Sequence, residues 1–112
     1  MSKLQEKIAL YKEKIKAIEP NFDAELLEKV TKGLGPSIYN KDAESVSCSN
    51  KDELDRVKKN FIKKKLGIED EEMADKAVKE VCEQMGSSNR NKYRAIFYYL
   101  LVKKFGKEDI YA

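Results

Sequence analysis

Ala95-Ile96-Phe97-Tyr98-Tyr99-Leu100-Leu101-Val102 is the longest run of uncharged, mostly apolar residues in the chain, and its reading decides the fold. Eight residues are far too few to span a bilayer by helix, which takes about 20. Read as a strand, the run has no second β-rich segment to pair with. Read as a helix from Asn89 to Phe105, capped by Ser88, it adds Tyr93 and Phe105 and is apolar around its whole circumference, the pattern of a buried helix. The sequence therefore predicts one helix enclosed by others.

The rest of the chain supplies them. Leu4, Ile8, Tyr11, Ile15 and Ile18 follow at spacings that form one helical stripe, with Ser2 placed to cap the helix and Pro20 to end it. A second helix reads from Ala24 to Lys32, capped by Asp23, carrying Leu26, Leu27 and Val30 and stopping at Gly33. Periodicity disappears from Gly33 to Ser49, where glycine, Pro36, Asn40 and serines read as a long ordered loop with room for a brief helical turn after Pro36. A third helix opens on a capping pattern, Asn50 or Ser49 with Asp52 or Glu53. It carries Leu54, Val57 and Phe61 towards Gly67. A fourth runs from Asp70 to Met85, with an acidic first turn and Met73, Ala77, Val81 and Met85 one turn apart. The expected fold class is all-α: a compact bundle of about five helices around the apolar C-terminal one, a single domain over residues 1–112. Its predicted core is Ile8, Tyr11, Leu27, Leu54, Val57, Phe61, Val81, Ile96, Phe97, Leu100 and Leu101.

Composition narrows function mostly by exclusion. Charged residues make up 38% of the chain, yet 23 basic against 20 acidic residues leave a net charge of only +3, a weak basis for a nucleic-acid partner. The segment Met1 to Leu10 carries charges throughout and lacks the apolar stretch of a secretory signal, so the expected location is the cytoplasm, with no membrane span. With no histidine, the commonest general base and the commonest zinc ligand are missing, and the two cysteines, Cys48 and Cys82, cannot build a four-ligand zinc or iron-sulfur site. No metal, cofactor or catalytic residue is expected, and the protein reads as a non-enzyme. Gly33-Leu34-Gly35 follows a helix and lacks the remainder of a phosphate-binding motif, so it reads as turn chemistry. The acids from Glu69 to Glu72 lack the spacing and central glycine of a calcium loop and suit a helix start. Both thiols are expected free: Cys48, just before a helix start, is the one candidate nucleophile but lacks a base, and Cys82 reads as a core residue beside Val78, Val81 and Met85.

Charge is unevenly placed. Lys51 to Leu66 holds seven basic and three acidic residues, Glu69 to Met85 two basic and seven acidic, and Asn89 to Phe105 five basic and none acidic. On an α-helix Arg56, Lys59 and Lys63 share a face away from Leu54, Val57 and Phe61, a strip that can lie along nucleic-acid phosphates or simply be solvated. Arg90, Lys92 and Arg94 crowd a helix end that is already positive, so something negative should stand nearby. Either acids of the fourth helix such as Glu80 or Glu83 fold back across Gly86-Ser87-Ser88, or the free helix amides with Ser87, Ser88, Asn89 and the guanidinium of Arg90 or Arg94 bind phosphate or carboxylate. The loop Gly33 to Asn40 is expected beside that helix start, making one polar surface of Ser37, Asn40, Asn89, Arg90 and Arg94.

The segments Val30-Thr31-Lys32-Gly33-Leu34-Gly35-Pro36-Ser37-Ile38-Tyr39-Asn40 and Ser88-Asn89-Arg90-Asn91-Lys92-Tyr93-Arg94-Ala95, continuing to Phe105-Gly106-Lys107, resemble those of a family of short bacterial proteins known only as a domain of unknown function. The similarity runs through nearly the whole chain, including the helix between Leu54 and Leu66. It implies a compact helical fold and a bacterial cytoplasm and supplies no activity, cofactor or catalytic residue. The functional expectation is a non-catalytic binding or scaffolding module with a possible protein partner. The alternative is nucleic-acid binding through the basic faces of helices 51–66 and 89–105.

Overall fold

Asp23, Asn50 and Asp70 each stand in extended backbone, and each side-chain carboxylate or amide oxygen accepts an amide hydrogen from the turn that follows, so three helices start where these caps satisfy their first free donors. The computed structural model describes residues 3–86 and 92–111. Within them the order is α1 (Lys3–Ile15), α2 (Ala24–Leu34), a 3-10 turn (Gly35–Tyr39), a single-turn α3 (Lys41–Glu44), α4 (Lys51–Val57) continuing into a π-helical stretch (Lys58–Lys63), α5 (Glu71–Met85), α6 (Arg94–Phe105) and a closing 3-10 turn (Glu108–Tyr111). No strand occurs among the described residues. Five helices, counting α4 with its π extension as one and setting aside the single turn of α3, make an all-α bundle.

Every residue of α6 from Ala95 to Val102 is buried. The helix lies against α2 and α5, with α1 and α3 closing the remaining sides. The Tyr99 hydroxyl accepts the Asp23 amide hydrogen at 2.7 Å, fastening α6 to the start of α2. Ile8, Tyr11 and Ile15 of α1, Leu26, Leu27 and Val30 of α2, Val57, Phe61 and Ile62 of α4 and its π extension, Leu66 just beyond it, and Ala74, Ala77, Val78, Val81 and Met85 of α5 complete the core, with Ile38 and Val46 from the segment between α2 and α4. The radius of gyration is 13.0 Å, close to the roughly 13 Å of a compact domain of about 100 residues.

Several details depart from the sequence reading. Leu54 is only partly buried, and Met73 is 51% exposed, because α5 turns Ala74, Ala77 and Val78 inward instead. Helix α2 runs through Gly33 and stops at Gly35, whose φ of 66° suits glycine and whose amide donates to the Lys32 carbonyl. The apolar helix starts at Arg94, five residues later than expected. Tyr93 forms an isolated antiparallel bridge with Ser45, and the Lys92 carbonyl accepts the Val46 amide hydrogen at 2.7 Å, so both residues are committed to extended pairing and not to a helical turn.

The thiols also differ from expectation. Cys48 and Cys82 are joined in a disulfide, their Cα atoms 6.0 Å apart across a sequence separation of 34, which removes the free nucleophile and the free core thiol alike.

Candidate polar cleft between α4 and α6

Asn50 accepts the Glu53 amide hydrogen at 3.2 Å, so the cap that starts α4 also fixes Glu53 on its first turn. The Glu53 side chain crosses to Arg94, the first residue of α6, and the two form an ion pair whose side chains are each only 15% exposed. Three further contacts hold the same guanidinium. Nε donates to the Ala43 carbonyl at 2.7 Å, Nη1 donates to the Tyr98 hydroxyl at 3.0 Å, and the guanidinium carbon lies 5.6 Å from the Tyr98 ring centre. Tyr98 is in turn stacked on Phe61 with ring centres 3.9 Å apart. Arg94 thus ties α3, α4 and α6 together.

Around this tie opens a cleft of about 390 Å³ lined by Asn40, Ala43, Glu53, Arg56, Val57, Asn60, Arg94 and Tyr98. Two arginines and one carboxylate leave it a formal +1. Arg56 is exposed and has no hydrogen-bond or ion-pair partner among the described residues, so its five donors face solvent. Arg94 stands differently, since its charge is already met by Glu53.

The strip expected of Arg56, Lys59 and Lys63 divides. Lys59 and Lys63 line a second cleft, of about 340 Å³, with Asp55, Lys58, Glu69, Asp70, Glu71 and Asp75, where acids outnumber bases. The cause is local: past Val57 the helix widens into π turns over Lys58–Lys63, and a wider turn breaks the α-helical register that would align the three side chains. Lys58 bonds Asp75 of α5, and that contact raises the Lys58 pKa above its ordinary value.

Of the expected anion site, Ser87, Ser88, Asn89 and Arg90 lie outside the described residues, as does the side chain of Ser37. The structure does bring Asn40 and Arg94 to one cleft. The acid that meets Arg94 is Glu53, not Glu80 or Glu83: Glu80 instead binds Lys104 near the far end of α6 at 2.6 Å, which holds its carboxyl below the usual range. Sequence reading missed Glu53, Asn60 and Tyr98 as cleft residues. Glu53 was visible only as a helix-capping acid.

Elsewhere the charged contacts are structural. Glu44 of α3 accepts from the Tyr11 hydroxyl at 2.6 Å and from Lys7 at 2.7 Å, and burial together with that carboxylate drives the Tyr11 pKa far up. Among the described residues no three acidic or cysteine side chains converge as a metal would need, and no helix is long and apolar enough to cross a membrane.

A family model described as "Protein of unknown function (DUF2853)" matches residues 10–109 of the 112. No curated protein matches the chain.

Proposed function

We propose a binding role for this protein from one premise: the chain belongs to the family described as Protein of unknown function (DUF2853), which carries no activity to transfer. The role is that of a non-catalytic module that holds a small carboxylate- or phosphate-bearing group in the α4–α6 cleft. The observation that carries it is Arg56, an uncommitted guanidinium at a cleft whose other arginine is locked by Glu53. Arginine presents paired donors that suit planar anions, and the side-chain amides of Asn40 and Asn60 line the same space. No paired nucleophile and base lines the cleft, which supports binding over catalysis. Under the same proposal the protein works in a bacterial cytoplasm, as the family resemblance implies, with fractionation of the native cell as its test.

Titration of isotope-labelled protein with acetate and then phosphate, at constant ionic strength, tests the role. The Asn60 side-chain amide and the Arg56 Nε resonance should move, and Arg56→Ala should abolish both shifts. Stationary resonances would refute the assignment. The nucleic-acid reading is weakened by the company Lys59 and Lys63 keep in the acidic second cleft. Binding of single-stranded RNA that falls steeply with salt and is lost on mutating Lys59 and Lys63 would restore it at the expense of the small-anion role.

A further inference from the structure

Segment 45–50 leads into α4 and pairs at its start with the residues just before α6, and these two helices carry the partly buried Glu53–Arg94 pair. At its start it is held by Ser45 bridged to Tyr93, by the Val46 amide bonded to the Lys92 carbonyl and by the buried Val46 side chain. At its end Asn50 caps α4. Between these points Ser47 and Ser49 are exposed, and their hydrogen bonds stay within the segment: the two hydroxyls lie 3.2 Å apart, and the Ser47 carbonyl accepts the Asn50 amide hydrogen. The disulfide from Cys48 to Cys82 is thus the one bond that joins residues 47–49 to another element among the described residues.

We propose that the Cys48–Cys82 disulfide is a reversible fastener of segment 45–50, so that thiol–disulfide exchange loosens the α4 start and the α6 entry together while the helical core stays folded. Two placements support reversibility. Cys48 is partly exposed on non-helical backbone between two exposed serines, where an incoming thiolate approaches from solvent, while Cys82, also partly buried, sits on α5 next to the buried Val81. The core around α6 is closed by α2, α5, α1 and α3, which pack on it directly, while Cys48 and Cys82 lie partly buried against its edge.

The exchange balances as follows. A thiolate of a small thiol such as glutathione attacks the Cys48 sulfur, forming a mixed disulfide and releasing Cys82 as its thiolate. A second small thiolate attacks the small-molecule sulfur of that mixed disulfide, releasing Cys48 and leaving the oxidised small disulfide. Two electrons pass to the cysteine pair, and the two thiolates take up protons. The small disulfide drives the reverse.

The consequence is local opening, independent of what the cleft binds. Three amides report it: Val46, bonded to the Lys92 carbonyl, and Glu53 and Leu54, bonded to the Asn50 side chain and carbonyl. In glutathione buffers of increasing reducing power, the pair should convert reversibly by mass while the far-ultraviolet dichroism stays helical. Hydrogen exchange at these three amides should then rise by about tenfold or more, with Leu27 and Ala74, bonded to Asp23 and Asp70, unchanged. The Cys48→Ser/Cys82→Ser protein should exchange as the reduced form does, whatever the buffer. A bond that glutathione cannot reduce, unchanged exchange after reduction, or a uniform rise across all five amides would each overturn the proposal. The last two would leave the bond an inert link or a global staple.

Discussion

Tyr11 shows how much one residue can concentrate. Its ring is fully buried against the core, 5.1 Å from the Tyr93 ring, and its hydroxyl spends its proton on Glu44. Tyr11→Phe keeps the ring and removes that donor, so a loss of about 1.5–3 kcal/mol is expected in urea unfolding, the range for a hydrogen bond to a charged group. Arg94 is the more costly position. Arg94→Ala strands the Glu53 carboxylate, the Ala43 carbonyl and the Tyr98 hydroxyl, and a destabilisation of about 2–4 kcal/mol is expected by the same measurement. An equal loss in Glu53→Ala and in the double variant would confirm that the two side chains act as one unit.

At the scale of elements, α5 has the clearest boundary. Asp70 accepts amide hydrogens from Glu72 at 3.0 Å and Met73 at 3.2 Å, and its charge sits at the positive end of the helix. Asp70→Ala should cost about 1 kcal/mol in thermal unfolding, whereas Met73→Gln on the same turn should change stability by less than about 0.5 kcal/mol because Met73 faces solvent. The α6 end behaves in a complementary way. Gly106 holds φ at 64° and ψ at 34° in the left-handed region while its amide bonds back to Lys103, so Gly106→Ala is expected to destabilise by about 1 kcal/mol.

The whole molecule should lose stability at both ends of the pH scale for opposite reasons. Glu28 and Glu80 have folded pKa values below their ordinary ones through Lys12 and Lys104. Their contribution is present above the unfolded value of about 4.3 and is lost as pH falls through the folded values. Tyr11, Tyr99 and Tyr111 are shifted upward, first by burial, with Tyr111 pushed up to about 12. Their contribution is complete below the unfolded tyrosine value of about 10 and is lost as pH rises through the folded ones. Melting temperatures should fall below about pH 4 and again above about pH 10, and Tyr11→Phe should flatten only the alkaline limb. A flat alkaline profile in the parent protein would contradict the burial of these phenols.

Much of this architecture was written in short-range sequence. The caps at Asp23 and Asn50, the acidic helix start at Asp70, the stripe of Ile8, Tyr11 and Ile15, and the all-round apolar surface of Ala95 to Val102 are features spaced within a few residues, where helix geometry alone dictates which side chains share a face. What remained hidden depends on separations that periodicity does not encode. Glu53 meets Arg94 across 41 residues and Cys48 meets Cys82 across 34, and only the packing of helices against α6 brings either pair together. The delayed start of α6 follows from extended pairing of Lys92 and Tyr93 with Ser45 and Val46, and the division of Arg56 from Lys59 and Lys63 follows from a π turn that an α-helical wheel assumes away. Local propensity and burial pattern therefore determined the helices and the central one among them. The cleft and the disulfide were each decided by tertiary contacts, because the free energy of each pairing exists only once distant elements are packed side by side.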